Sequence, residues 1–281
     1  MELDTAELIS VLKPQSRKEK FYPPVFTSFT NQKRNFQTMT QFNEMISSAA
    51  SLGNTDRDKA NQVAWDQLYA STNDLVWGDK ELPFVGEAID FLRENQMLVD
   101  NPAILDAASG EGRNLPTLLR ASTHVTACDS SAAGLAKLKS RFNDHVETVE
   151  CDLAKMPFVN GTFDLVLACD IIETLPNLHD VLLEISRTLR MGGVLIANVP
   201  DFDDGISGTD MNPLSSNEFL YQGNYFFRFQ SEMEFTQILE QCGFSMISSQ
   251  STTWWEPPHP GFRDDVHSHT SRIILASRKM A

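Results

Sequence analysis

No run in the chain approaches the roughly 20 apolar residues that cross a bilayer, so no membrane partner is expected. The first residues, Met1-Glu-Leu-Asp-Thr-Ala-Glu7, lack the basic start and apolar stretch of a secretory leader. A cytoplasmic location is therefore the expectation. Cysteine is scarce: Cys128, Cys151, Cys169 and Cys242 form no Cys-x-x-Cys pair, which removes the spacing of zinc ribbons and thioredoxin-type redox sites. Positive charge is in deficit too. Lys and Arg total 23 against 38 Asp and Glu, for a formal net charge of −15. Such a chain is short of the basic face that neutralises phosphates, and nucleic acid is not the expected partner. There is no internal repeat and no low-complexity tract.

What is present suffices for a sizeable core: 41% of the 281 residues are hydrophobic, and the length suits one large α/β domain with an extension. Residues 1–55 stand apart. Pro14, Pro23 and Pro24, many Ser, Thr, Asn and Gln, and the lack of steady periodicity mark a flexible or loosely docked extension. Phe21, Tyr22, Phe26, Phe29 and Phe36 give it apolar grip for the core or for a second copy of the chain, which leaves self-association open. Residues 56–281 alternate. Strands are predicted near 103–107, 124–128, 145–151, 164–169, 193–199, 245–252 and 270–277. Helices are predicted near 56–69, 85–96, 113–121, 131–142, 178–190 and 231–242. Alternating β and α elements point to a largely parallel sheet with helices on both faces.

The most informative stretch is Ile104-Leu-Asp-Ala-Ala-Ser-Gly-Glu-Gly-Arg-Asn114, in which an apolar strand runs into a small-residue loop that opens a helix. Gly110 and Gly112 have no side chains to block a ligand from backbone N–H groups. Asp129 closes the next apolar run, placed to accept hydrogen bonds from ribose hydroxyls. The dinucleotide fingerprint would need a third glycine at 115, where the residue is Leu115. Asp106 also sets a carboxylate at the mouth of the first strand, which suits a cation better than a pyrophosphate. An NAD-dependent oxidoreductase is disfavoured on both grounds.

With these residues the chain resembles the class I S-adenosylmethionine (AdoMet) methyltransferases, whose first motif is Asp-x-Gly-x-Gly-x-Gly. Here it reads Asp106-Ala-Ala108-Ser-Gly110-Glu-Gly112, and Ala108 in place of the first glycine speaks against a positive φ there. Further motifs follow in the family's order. Val149-Glu-Cys-Asp152-Leu153 is similar to the third-strand motif, the run from Gly161 to Asp170 to the fourth strand and its end, and Leu189 to Asn198 to the turn and fifth strand. The resemblance implies a Rossmann-like seven-stranded, mostly parallel sheet with one antiparallel strand. It implies AdoMet as cofactor and S-adenosylhomocysteine as product. Asp106, Ala107, Ala108, Gly110 and Gly112 would surround the methionine part, Asp129 and Ser130 the ribose, and Asp152 and Leu153 the adenine, with Asp170 at the end of the fourth strand. Trp65 to Tyr69, Trp77, Leu82-Pro-Phe84 and Arg113-Asn114 are similar to the entry of the tellurite-resistance and thiopurine methyltransferases, which take small substrates.

The substrate wall is expected from residues 170–174, 200–229 and 253–269. Trp77, Tyr225, Trp254, Trp255 and Arg263 are its candidate residues. Aromatic walls with few polar groups suit a small organic molecule or hold a cation against the rings. His267 and His269 are two apart and share a face if extended, as does Asp265. Two histidines and one acid fall short of a diagnostic ligand set, so no metal is assigned. The histidines stand instead as candidates for a general base, needed only where the nucleophile carries a proton. The sequence thus points to methyl transfer to a small-molecule acceptor. An RNA or protein methyltransferase docking through residues 1–55, and a non-catalytic scaffold, are the alternatives.

Overall fold

The computed structural model describes residues 54–280, Thr209 excepted. The extension expected over 1–55 lies outside the described residues but for its last two positions. Central strands form where apolar residues run without alternation, as a sheet covered on both faces requires. β1 (Ile104–Ala107) is buried at every position, β2 (Val125–Asp129) and β4 (Phe163–Ala168) at all but one, and β5 (Leu189–Pro200) from Gly193 onward. β3 (Glu147–Glu150) is polar and half exposed, and it sits at the sheet edge. With β9 (Phe244–Glu256) and β10 (His267–Arg278) the order is β3-β2-β1-β4-β5-β10-β9. β10 runs antiparallel to both β5 and β9, while the other pairings are parallel.

Helices cover both faces, as the alternation predicts. On one face lie α2 (Pro83–Glu94), opened by a proline where no N–H is needed, α3 (Leu115–Ala121) and α4 (Ala132–Phe142). Their Val85, Ile89, Leu118 and Leu138 pack on Ile104, Val125, Leu165 and Ile196. On the other, Leu182 and Ile185 of α5 (Leu178–Thr188) and Phe235 and Leu239 of α6 (Glu232–Gln241) pack on Leu105, Val166 and Leu195. A third apolar cluster lies outside these two. It joins Leu68 and Tyr69 of α1 (Asn54–Ser71) to Tyr221, Tyr225 and Phe227, which belong to a small antiparallel sheet of β6 (Met211–Pro213), β7 (Glu218–Tyr221) and β8 (Tyr225–Arg228). No helix among the described residues is long and apolar enough to cross a membrane.

Two segments depart from the sequence reading. The stretch 200–229, read as a loop, contains the small sheet. β9 and β10 also run further than predicted, to Glu256 and from His267. β5 pairs with β10 only over Ser271–Ser277, whereas β9 pairs with it over its whole length. Residues 253–256 and 267–270 thus form a two-stranded arm beyond the reach of β5. Its strands have one covered side, so they lack the apolar runs that marked the others.

Gly112 illustrates how tightly the turn into α3 is packed. Its φ is +80°, and a Cβ there would lie 2.8 Å from Leu115 Cδ1 and 3.0 Å from Leu138 Cγ and Phe142 Cε2. Gly112→Ala is expected to lower stability by roughly 2–4 kcal/mol, combining left-handed strain with overpacking. Urea denaturation checks it; an unchanged midpoint would contradict the packing assigned to this turn.

Candidate functional site

Parallel α/β sheets open their binding crevice at the carboxyl ends of the strands. Here Ala108, Ser109, Asp129, Ser130, Asp152, Cys169, Asp170 and Pro200 follow or close those strands and line one cleft. Its volume is about 1400 Å³ with the mouth included.

α1 forms one wall through Asp58, Asn61, Gln62, Trp65 and Tyr69, residues at helical spacing. Polar contacts hold it there. Asp66 accepts from Ser131 Oγ at 2.6 Å and from Ala133 N at 3.0 Å, at the start of α4. Asn61 donates to the Thr174 carbonyl at 2.7 Å and accepts from Phe226 N at 3.0 Å, joining the small sheet to the main one. Tyr69 accepts from Trp77 Nε1 at 2.9 Å.

At one end, Asp129 is fixed by its own backbone surroundings. Its Oδ2 accepts from Gly110 N at 2.7 Å and its Oδ1 from Ser131 N at 2.8 Å. This aims the carboxylate from the tip of β2 while each oxygen keeps a lone pair. Asp152 at the next tip accepts from Ala154 N at 2.8 Å. Asp170 is held by Asn198, whose Nδ2 lies 2.7 Å from its Oδ1. Ala108 adopts φ +57°, against the expectation drawn from its side chain. The loop demands the left-handed conformation, and the alanine takes it at a cost of roughly 1–2 kcal/mol.

At the other end the wall is aromatic. The Trp77 ring centroid lies 5.1 Å from that of Phe262 and 6.1 Å from that of Trp65. Beside them the arm contributes Glu256, His267 and His269, and its connecting turn His259. The register sets Glu256 opposite His267 and Trp254 opposite His269, so all four share a face. His267 and His269 approach through their Nε2 atoms at 3.0 Å. Burial lowers His267, its largest influence. Burial acts the same way on His269, but the Asp204 carboxylate outweighs it and the net direction is upward. Burial raises Glu256 too, yet contacts with His259 and Arg113 hold its carboxyl well below the ordinary range.

The structure brings together ten of the residues singled out from sequence: Ala108, Asp129, Ser130, Asp152, Leu153, Asp170, Trp77, Arg263, His267 and His269 all line the cleft. Others do not. Asp106 and Ala107 are buried within β1. The Cβ side of Gly110 is taken by the Tyr69 hydroxyl and that of Gly112 by helix side chains, and neither glycine lines the cleft. Tyr225 stacks behind Trp65 at 4.6 Å. Trp254 packs between Phe84 and His269 and donates to Glu256. Trp255 is 72% exposed, because alternation turns it to the opposite side of the arm from Trp254. Asp265 also leaves the histidine face and pairs with Arg263. Glu173, Asp204, Glu256 and His259 fall within the segments expected to form the substrate wall but were given no role of their own there, and the polar face of α1 was not anticipated. Burial, followed by the nearby Asp170 charge, drives the Glu173 carboxyl well above its ordinary range and favours its protonated form.

Residues 105–197 match the family described as a methyltransferase domain. A probable S-adenosylmethionine-dependent methyltransferase of Mycolicibacterium smegmatis is 25% identical over 179 residues, 60% of this chain and 65% of the relative. One of Mycobacterium tuberculosis is 26% identical over 177 residues, 59% and 60% respectively. The match thus spans less than two thirds of these relatives' length. Among solved structures, the Burkholderia thailandensis 1,6-didemethyltoxoflavin-N1-methyltransferase, with bound 1,6-didemethyltoxoflavin and S-adenosylhomocysteine, shares the fold. Its TM-score is 0.59 at 19% identity, over 82% of this chain and 92% of that one.

Asp106 gives the domain a pH signature. Burial, and then the Asp129 charge, push its carboxyl up to about 7. Between about pH 4 and 7 the folded chain holds a proton that the unfolded chain has released, so stability falls as pH rises through that window. The slope from this one group reaches at most about 1.4 kcal/mol per pH unit. Denaturation at pH 5 and 7.5 is expected to show the fall, and Asp106→Asn to flatten it; equal slopes would remove Asp106 as the cause.

Proposed function

We propose that this chain, which belongs to the class I AdoMet-dependent methyltransferases, transfers a methyl group to a small-molecule acceptor held at the aromatic end of the cleft. The observation that carries this reading is one cavity joining the acid-tipped strand ends to a ring-walled end. The lining suits the cofactor chemically. Asp58, Asp129, Asp152, Asp170, Glu173, Asp204 and Glu256 face Arg113 and Arg263, a balance that repels a pyrophosphate and favours a sulfonium with its ammonium group. When bound, AdoMet supplies a methyl already activated for in-line displacement.

The work left to the side chains is positioning. Asp129 and Ser130 hold the ribose, and Asp152 and Leu153 the adenine. Asp170 and the Ala108–Ser109 loop face the amino-acid end. Asp106, Gly110 and Gly112 act behind the cleft, shaping the loop rather than touching the ligand. Trp65, Trp77, Phe227 and Phe262 exclude water and orient the acceptor. A small acceptor is supported by the roof that α1 and β8 make over this end, and by the small heterocycle bound in the Burkholderia enzyme. Residues 56–281 are the methyltransferase domain in this reading, with 1–55 appended.

Calorimetry with S-adenosylhomocysteine, AdoMet and NAD tests it. Both adenosyl ligands are expected to bind in the micromolar range and NAD not at all. Asp129→Asn is expected to weaken them at least about tenfold, or ~1.4 kcal/mol, and Trp255→Ala to leave them unchanged. Binding of NAD alone, or full affinity in the Asp129 variant, would overturn the assignment. Labelled methyl transfer to a panel of small thiols, phenols and amines then identifies the acceptor class.

A further inference from the structure

We propose that Glu256, His259, His267 and His269 form a site for one divalent first-row transition ion, of the zinc or ferrous kind, at the acceptor end of the cleft. One ligand atom from each residue lies within 4.8 Å of every other. His259 Nε2 is 2.9 Å from Glu256 Oε2, and His267 Nε2 is 3.0 Å from His269 Nε2. Ligands held about 2.0–2.1 Å from a shared ion stand roughly 3–4 Å apart.

The hydrogen bonds behind the cluster point the same way. His267 Nδ1 lies 2.9 Å from the Asp265 carbonyl oxygen, which only accepts, so this nitrogen carries the hydrogen. His269 Nδ1 lies 3.3 Å from the Asp204 carboxylate, again an acceptor. In neutral rings both lone pairs then sit on Nε2 and face each other. A carboxylate or carbonyl behind a histidine, fixing its tautomer and orientation, is the outer support that metal-ligating histidines use. Glu256 repeats the pattern. Its Oε1 accepts from Trp254 Nε1 and Arg113 Nη2, each at 2.7 Å, while Oε2 is buried and faces His259 Nε2 at 2.9 Å. A proton shared between His267 and His269 would satisfy that pair alone. A single ion would take the place of both that shared proton and the His259–Glu256 contact.

Three imidazoles and one carboxylate suit zinc, iron, nickel or copper rather than magnesium or calcium, which take oxygen. All four residues line the cleft, so an acceptor oxygen or sulfur can complete the coordination. Coordinated hydroxyls and thiols lose their proton more readily, here to water, so the acceptor class is a hydroxyl- or thiol-bearing small molecule. Ion binding stands on the four side chains; the acceptor role rests on the methyl-transfer reading above.

The test uses the full chain, stripped with a chelator, dialysed and titrated with Zn²⁺ by calorimetry and with Co²⁺ by visible absorption. One equivalent of Zn²⁺ is expected, displacing Co²⁺ from a site with the absorption bands of low-coordinate nitrogen–oxygen ligation. His267→Ala and His269→Ala are each expected to weaken Zn²⁺ at least 100-fold, and Asp204→Asn about tenfold. Trp255→Ala should match the wild type. Circular dichroism establishes that each variant is folded. No uptake by the folded wild-type chain, or uptake unaffected by the double His267→Ala/His269→Ala change, overturns the site. S-adenosylhomocysteine binding, measured on the stripped chain, separates the two readings: its loss would fail the methyl-transfer assignment while the Zn²⁺ titration still decides the ion.

Discussion

The buried ion pair between Arg113 and Glu256, at 2.7 Å, is the contact on which the two ends of the cleft depend. Arg113 directly follows the glycine loop, and Glu256 ends β9 on the arm. Both side chains are largely removed from water, which makes the pair costly to form and costlier to leave half made. The guanidinium also donates to the Lys80 carbonyl, tying in the segment before α2. One side chain thereby fixes the glycine loop, the approach to α2 and the arm relative to one another. It also commits one Glu256 oxygen and leaves the other turned toward the histidines.

Around this pair the cleft concentrates acid. Carboxyls at the tips of β2 and β3 and after β4 face the same space, and backbone N–H groups or an asparagine orient three of them. Burial, added to by neighbouring carboxylates, pushes Asp58 up to about 6 and raises Asp129 and Asp170, and behind the cleft it pushes Asp106 up to about 7. A cationic ligand relieves that tension, and an anionic one adds to it. The net acidity of the chain becomes specific in this cleft, where a few carboxyls converge, rather than at the surface as a whole.

The glycine loop shows why a motif and its geometry are different kinds of information. The small residues were read as a place where a ligand comes close to the backbone. The approaching group is the Tyr69 ring of α1 at Gly110, and the Leu115, Leu138 and Phe142 side chains at Gly112. Ala108 takes the left-handed conformation that the loop imposes. The Tyr69 approach at Gly110 brings α1 against the loop.

Local order was legible in the chain itself. Apolar runs placed the parallel strands because a strand covered on both faces needs them, and the acids that close β2 and follow β3 mark the crevice because strand ends share one edge. The arm was not legible. Trp254, Glu256, His267 and His269 converge through cross-strand register, and no local pattern states which residue of one strand will oppose which of the other. Asp265 follows the same two-residue count as the histidines yet turns away to Arg263, while His259 reaches the cluster from a turn. The sequence alone determined the sheet, its order of elements and the edge at which the cleft opens. Tertiary structure alone decided which side chains meet across the arm, because that depends on pairing and burial between segments distant in the chain.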